Sequence, residues 1–174
     1  MIKTLITSKT RVKLLLKFFL NPQNSAYLRG LSEEIEESTN SVRLELNRLE
    51  EANMLHSSKI GNKKMFTVNK LHPLFKDVNQ IVRKYLGIDV IIDNILRGLG
   101  EPTKIYLTGE LAEGRNCDLV DIILIGKINK NYLTDVIEKT EKIIERKIRY
   151  IAYTEEEFPK VSQNENQLLI WAKD

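Results

Sequence analysis

The chain has 174 residues, of which 42% are hydrophobic and 29% charged, so it can bury a core and is not a disordered tail. Its apolar runs are far shorter than a membrane span requires, and its single cysteine excludes an internal disulfide framework and a cysteine-rich zinc site. Basic residues interrupt every apolar stretch near the N-terminus, so we expect no secretory signal, no membrane contact and a cytoplasmic location.

The net charge of +3 divides unevenly along the chain. Residues 1–86 contain fifteen Lys and Arg against eight Asp and Glu, which gives +7. Residues 87–174 contain twelve against sixteen, which gives −4. A basic half joined to an acidic half predicts two units with different partners, and the basic unit is the candidate for binding a polyanion.

The first half begins with two predicted helices. Apolar residues in 8–20 recur at helical spacing until Pro22, whose ring cannot continue a helix. A second short helix is predicted over 27–35, where Leu28, Leu31 and Ile35 share one face.

A third helix follows the polar stretch 36–39, and its two faces differ in chemistry. Val42, Leu46 and Leu49 are spaced four and three apart, which makes one inward stripe. The opposite side has Asn40, Arg43, Leu44, Asn47 and Arg48. The period then changes to that of strands over 55–60 and 64–68, which are joined by 61–63 into a hairpin with a basic tip.

Three helices and a hairpin are the layout of a winged helix-turn-helix, and two segments make the likeness more specific. Residues 38–55, STNSVRLELNRLEEANML, resemble the recognition helix and exit of ArsR/MarR-type bacterial transcription regulators. Residues 61–69, GNKKMFTVN, resemble the wing of those proteins. The resemblance implies that residues 1–72 are a DNA-binding domain.

The chemistry of the outward face supports that expectation. Asn pairs with adenine and Arg with guanine in the major groove, so Asn40, Arg43 and Asn47 are the specificity candidates. Thr39 and Ser41 are placed to donate to phosphates at the helix N-terminus, and three wing lysines suit phosphate or minor-groove contact. The predicted DNA-binding residues are Thr39, Asn40, Ser41, Arg43, Asn47, Arg48, Lys59, Lys63 and Lys64.

Acidic residues and missing ligands limit this interpretation. Glutamates at 36, 37, 50 and 51 oppose DNA, and winged helices also serve as protein-binding modules. Metal-sensing ArsR proteins have a cysteine pair near the recognition helix, and this segment has none. His56 and His72 stand alone, whereas a tight metal site needs three or four donors, so we expect no metal site here.

The second half alternates helices and strands. A connecting helix is predicted over 73–87 and another over 89–99, followed by a turn at 100–102. Strands are predicted over 104–108, 119–125 and 148–153, with a helix over 131–146 before the last strand. The fold class is therefore α+β with two domains, the second (88–174) having a small mixed sheet.

The loop and strand around residues 105–125 resemble the minimal nucleotidyltransferases of the polymerase-β superfamily. Their pattern is a strand, then Gly-Ser-x-Ala-Arg-Gly, then Ser-Asp-x-Asp at the start of the next strand. Gly109, Ala112, Gly114 and Asp121 stand where the pattern requires them. The resemblance implies a nucleotidyltransferase-like fold for the second domain.

Departures from that pattern argue against catalysis. Glu110 replaces the serine, Glu113 replaces the arginine, and Leu119 replaces the first carboxylate of the pair. The strand over 147–153, which normally supplies a third carboxylate, contains no acid. Nucleotidyl transfer needs paired carboxylates to hold Mg²⁺, so we expect an inactive domain without metal or cofactor, in which Gly109, Glu110 and Asp121 are relics.

The sequence therefore predicts a transcription regulator that binds double-stranded DNA as a homodimer, with a second domain that senses a small molecule, binds a protein effector or dimerises. Two alternatives stay open. One is an active nucleotidyltransferase whose acids are Glu110 and Asp121. The other is an antitoxin-like or scaffold protein whose winged helix binds protein.

Overall fold

A computed structural model describes residues 6–98, 100–161 and 166–173. The chain divides into two compact units, Met1–Tyr85 with Gly114–Asn116, and Leu86–Glu113 with Cys117–Asp174. The predicted connecting helix belongs, up to Tyr85, to the first unit. No helix within the described ranges is long and apolar enough to cross a membrane.

The first unit contains four helices and three strands among its described residues. They are α1 (Lys9–Leu15, continued as a π-helix over Leu16–Leu20), β1 (Ser25–Tyr27), α2 (Leu28–Glu34), α3 (Thr39–Glu51), β2 (Leu55–Ile60), β3 (Lys63–Val68) and α4 (Phe75–Leu86). The strands form an antiparallel sheet in the order β1-β3-β2. Helices α1 to α3 and this hairpin have the element order of a winged helix, and the predicted α+β class is confirmed.

The apolar stripe of α3 lies in the core of this unit. Val42, Leu46 and Leu49 are all buried, as the spacing predicts, whereas Leu44 on the outer side is half exposed. Strand β1 was not predicted, because three residues are too short to show an alternation. It pairs with β3 and buries Ala26 opposite Phe66.

Three ion pairs connect α1 to the acidic residues that follow it in the chain. The pairs are Arg11–Glu45 at 2.8 Å, Lys13–Glu37 at 2.7 Å and Lys17–Glu34 at 2.5 Å. The basic residues of α1 thus neutralise acids on α2, on the following turn and on α3.

Glu45 is the most deeply buried of these acids. It is 5% exposed, and its carboxylate accepts from Ser8 at 3.0 Å, Arg11 Nε at 2.8 Å and Arg48 at 3.0 Å. Burial alone would raise the pKa of Glu45, but the hydrogen bonds from Arg11 and Ser8 outweigh it and hold that pKa below its ordinary value. The carboxylate therefore stays ionised and joins the start of α1 to the middle of α3.

The described residues of the second unit form a four-stranded mixed sheet with helices. Its elements are α5 (Ile88–Gly98), β4 (Gly100–Thr108), α6 (Gly109–Ala112), β5 (Leu119–Ile128), α7 (Lys130–Ile144), β6 (Lys147–Tyr153), α8 (Phe158–Val161) and β7 (Leu168–Ala172). The strand order is β6-β5-β4-β7; β5 and β6 are parallel, and the other pairs are antiparallel. The parallel pair is the one that α7 connects.

The turn predicted at 100–102 is wrong, because β4 already begins at Gly100. Pro102 is opposite Gly126, and the register shifts between Pro102 and Lys104. The register of β7 on β4 runs from Lys104 to Leu107, so Pro102 lies outside that ladder. A proline that suggests a turn is thus accommodated at a bulge near the strand's start.

We expect Glu45→Gln to lower the free energy of unfolding of the first unit by about 1–3 kcal/mol, because a neutral amide weakens the hydrogen bonds from Arg11 and Arg48. The folded-state pKa lies below the ordinary 4.5, so this stabilisation is complete above about pH 4.5 and is lost as the pH falls through the folded value. Urea denaturation of wild type and variant from pH 7 down to pH 3 measures it.

The exposed Glu51→Gln on the same helix is the matched control and should leave stability unchanged. A difference between Glu45→Gln and wild type that stays constant into acid would contradict the ion-pair account.

Candidate functional site

The outer face of α3 presents the residues that were predicted to read bases. Asn40, Arg43 and Asn47 are exposed, and their spacing of three and four puts them on one side of the helix. That side is opposite the buried stripe. Two amides and a guanidinium therefore project together from a helix whose other face is fixed in the core.

The first turn of α3 is held by Ser38, which was not among the predicted site residues. Its hydroxyl oxygen accepts from the Ser41 backbone N–H at 3.1 Å and its proton is donated to the Ser41 hydroxyl at 2.8 Å. Ser41 keeps its own hydroxyl proton for an outside acceptor. The Thr39 hydroxyl instead donates to Ser32 at 3.3 Å, so this predicted phosphate donor is used inside the unit.

Arg48 lies at the edge of the same face. Its side chain is 59% exposed, and one guanidinium nitrogen contacts Glu45 at 3.0 Å. The guanidinium has five N–H donors, so a single contact leaves most of them to solvent or another acceptor. The ion pair fixes where this positive charge lies along α3.

The hairpin of β2 and β3 presents the three predicted lysines close together. Lys59 pairs directly with Lys64, and Ile60 with Lys63, around the turn residue Gly61 at φ +58°. Like charges directly opposite on a hairpin are destabilising. Lys63 is held over the Tyr27 ring, with its nitrogen 4.0 Å from the ring centroid.

Lys64 is also connected to the end of α3. Its nitrogen donates to Glu50 at 2.6 Å, and the Ser57 hydroxyl donates to the other oxygen of the same carboxylate. The hydrogen bond from Lys64, followed by that from Ser57, lowers the pKa of Glu50. Of the acids expected to oppose DNA, Glu50 and Glu37 are therefore already paired with lysines.

A cleft of about 600 Å³ in the second unit is lined by residues of β4, β5 and β6, and it contains two predicted relic positions. Gly109 and Asp121 both line it, together with Thr108, which is opposite Asp121 in the sheet. Gly109 has φ +64°, and a Cβ atom there would lie 2.7 Å from Asp121 Oδ2. Only glycine fits this turn without strain.

The cleft is not a cluster of acids. Arg149 on β6 is opposite Asp121 and donates to both its oxygens, from Nε at 2.5 Å and from a terminal nitrogen at 2.9 Å. Glu113 lines the cleft and accepts from Asn166 at 3.2 Å. Glu110, which was expected to add negative charge at this loop, is exposed on α6 and does not line the cleft.

Metal ligands do not converge in the described part of the chain. No group of three or more His, Cys, Asp or Glu side chains there is placed to hold an ion. His72 has a local role, since its Nδ1 accepts from the Leu74 backbone N–H at 3.1 Å just before α4.

Sequence reasoning missed Glu45 and the Arg149–Asp121 pair as interacting residues. At about 100° per residue, position 45 lies about 40° from Leu49, at the edge of the apolar stripe, so its burial could be predicted from the helical period. The pairing of Arg149 with Asp121 depends on strand register, which a sequence separation of 28 residues conceals.

No protein-family model matches the sequence, and no curated protein is similar enough to match it. Three solved structures match with TM-scores below 0.5. Reduced HlyU from Vibrio cholerae has a TM-score of 0.37 at 16% identity over 48% of this chain and 82% of its own. AF1382 from Archaeoglobus fulgidus has 0.38 at 18% identity, over 53% and 94%. The adhesin competence repressor AdcR from Streptococcus pyogenes has 0.39 at 15% identity, over 55% and 72%. A likeness at this level carries no argument about function, so the function must be inferred from the geometry of this chain's own residues.

We expect Gly109→Ala to destabilise the second unit by about 1–3 kcal/mol, because alanine is strained at positive φ and its methyl group meets the Asp121 carboxylate. A double-mutant cycle with Asp121→Ala, followed by thermal unfolding, measures how much of the loss comes from that contact.

The cost of Gly109→Ala should fall when Asp121 is also alanine, since only backbone strain then remains. Gly61→Ala is the control for strain alone, because its φ is similar and no atom lies within 4 Å of the added methyl. Equal costs with and without the carboxylate would rule out the close approach.

Proposed function

We propose that this chain is a DNA-binding transcriptional regulator whose first unit contacts duplex DNA through α3 and the β2–β3 wing. The observation that carries the proposal is the polar outer face of α3, where Asn40, Arg43 and Asn47 project from a helix fixed on its opposite side. A rigid helix with amides and a guanidinium on one face suits base edges in a major groove.

The charges of the wing support the same proposal. Lys59 and Lys64 are directly opposed, and Lys64 is neutralised by Glu50, whereas Lys59 has no acidic partner among the described contacts. A phosphate group beside Lys59 would supply its counter-charge. Glu37 and Glu50 repel the phosphates of a nucleic acid only weakly, because each carboxylate is neutralised by a lysine.

We further propose that the second unit is a nucleotidyltransferase-like domain that has lost catalysis. The strand-turn-strand unit around Gly109 and Asp121, followed by the parallel strand β6, supports the fold. The Asp121–Arg149 pair supports the loss of catalysis, since a carboxylate that accepts two hydrogen bonds from a guanidinium is a poor ligand for Mg²⁺. A small-molecule or protein effector of this unit, and a homodimeric state of the whole chain, complete the proposal.

Arg43→Ala or Asn47→Ala should weaken binding to a cognate site by about 1–3 kcal/mol, because each removes base-edge hydrogen bonds. Lys63→Ala with Lys64→Ala should weaken binding to every sequence and reduce the slope of log K against log salt by about one unit per lost phosphate contact. Selection of a site from a random duplex library, followed by fluorescence anisotropy at several salt concentrations, tests both.

Lys104→Ala, which removes an exposed charge from the second unit, is the matched control and should bind as wild type does. The decisive comparison is between wild type and a triple variant with Arg43→Ala, Lys63→Ala and Lys64→Ala. Equal affinity of the two for duplex DNA would contradict the DNA proposal and favour a protein-binding winged helix.

Glu50→Gln should raise affinity for non-specific duplex about two- to fivefold, because it releases Lys64 from an ion pair and removes a negative charge beside the wing. Glu51→Gln removes the same charge next to it without a lysine partner among the described contacts. A gain for Glu50→Gln that exceeds the gain for Glu51→Gln isolates the release of Lys64. Equal gains would assign the effect to net charge alone.

We expect no nucleotidyl transfer when the protein is incubated with labelled ATP, GTP, CTP or UTP and Mg²⁺ or Mn²⁺. Arg149 occupies the oxygens of Asp121, and Glu113 adds negative charge where phosphates would lie. Mass spectrometry of the protein and of added acceptors is the readout. Transfer that disappears on Asp121→Ala would promote the enzyme alternative.

A further inference from the structure

The cleft of the second unit combines a charged row and an apolar row on one face of the sheet. Asp121 is opposite Arg149, and two residues further along the same strands Ile123 is opposite Ile151. Side chains two residues apart in a strand point to the same face, about 6.6 Å apart. All four of these residues line the cleft. A molecule that spans both rows therefore needs a polar end and an apolar body.

One member of the apolar row is open to solvent. Ile123 is 4% exposed, whereas Ile151 beside it on β6 is 50% exposed. The cleft volume of about 600 Å³ lies within the range of small-molecule sites in proteins. Covering the exposed part of Ile151 with an apolar group removes that area from water and favours binding.

The charges of the cleft select the polar end of such a molecule. Among the described residues that line it, the acids are Glu113 and Asp121 and the base is Arg149, so two acids against one base give a net charge of −1. Arg149 donates to both oxygens of Asp121. Glu113, whose carboxylate accepts from the Asn166 amide at 3.2 Å, supplies the excess. This balance repels an anion, whereas a single positive charge completes it.

We infer that the cleft binds a small organic monocation, a primary amine with an apolar body. Its ammonium group donates to the Glu113 carboxylate and to the oxygen of the Asn166 amide, which serves as a second acceptor. Its body covers Ile151, and the Asp121–Arg149 pair stays closed beside it. This inference rests on the small-molecule effector proposed above for the second unit and gives that effector a chemical class.

Two-dimensional amide NMR of the labelled full chain tests the inference with four probes. Phenethylamine has both the ammonium group and the apolar body. Phenethyl alcohol has the body without the charge, phenylacetate has a negative charge instead, and ethylamine lacks the body. Phenethylamine should shift the amide signals of Ile123 and Ile151 and bind at least about tenfold more tightly than each of the other three.

Three results of this titration overturn the inference. They are binding of any of the other three probes as tightly as phenethylamine, shifts confined to residues outside the cleft, and no binding of phenethylamine up to about 10 mM. All three concern the wild-type chain, so they do not depend on whether a variant folds.

Two glutamates close together in the chain provide matched variants for the charge. Glu113→Gln removes a carboxylate that lines the cleft and should weaken phenethylamine binding about tenfold. Glu110→Gln removes the same charge from an exposed position that does not line the cleft, and should change the affinity less than about twofold. Equal effects of the two variants would assign the attraction to net charge and overturn the site.

A second pair of variants tests the apolar row. Ile151→Ser should weaken phenethylamine binding about three- to tenfold, because it removes apolar area that the body covers. Ile143→Ser, the same change on α7 at a position that is 62% exposed and outside this cleft, should leave the affinity unchanged. Equal affinities of the two variants overturn the placement of the body on β6.

These measurements use neither DNA nor nucleotide, so their failure is distinguishable from failure of the proposed function. Binding of phenethylamine that leaves the affinity for duplex DNA unchanged would keep this inference and remove the effector role. A chain that binds duplex through Arg43 but binds no amine would do the reverse.

Discussion

The first unit depends on the ionised carboxylate of Glu45, which is buried in the middle of α3 and held by groups from the start of α1. A charge in that position is costly unless every oxygen is satisfied, and Ser8, Arg11 and Arg48 satisfy it. Because α1 cannot shift along α3 without leaving the buried charge unpaired, these contacts fix α1 against α3 and add to the buried stripe in holding the rotation of α3. That rotation decides which residues face outward.

Other acidic residues of the first unit are also paired with basic side chains. The acids that follow α1 in the chain are paired with α1 lysines, and Glu50 is paired with a lysine of the wing. The excess positive charge of +7 in residues 1–86 therefore lies on side chains that have no acidic partner among the described contacts, such as Arg43 and Lys59. Net charge alone could not locate that surplus, because it counts paired and unpaired groups alike.

In the second unit one ion pair lies in the cleft beside Gly109. Asp121 lies between Gly109, whose lack of a side chain gives it room, and Arg149, which neutralises it. The strand register that makes β5 and β6 neighbours brings the two charges together. A carboxylate held in this way contributes to the stability of the sheet edge rather than to the binding of a second charge.

The sequence by itself determined the inward stripe of α3, the hairpin of the wing and the alternation of helices and strands in the second half, because each follows from local periodicity and turn residues. It also determined that position 119 is Leu and only position 121 of the two is a carboxylate, since residue types at a fixed spacing can be read directly from the sequence. Only the tertiary structure decided that Thr39 donates inward, that Lys64 is held by Glu50 and that Arg149 meets Asp121. Strand β1 and the start of β4 at Gly100 belong to the same group. These features depend on which distant segments become neighbours, and that is set by strand register and the packing of α1 on α3 rather than by any local pattern.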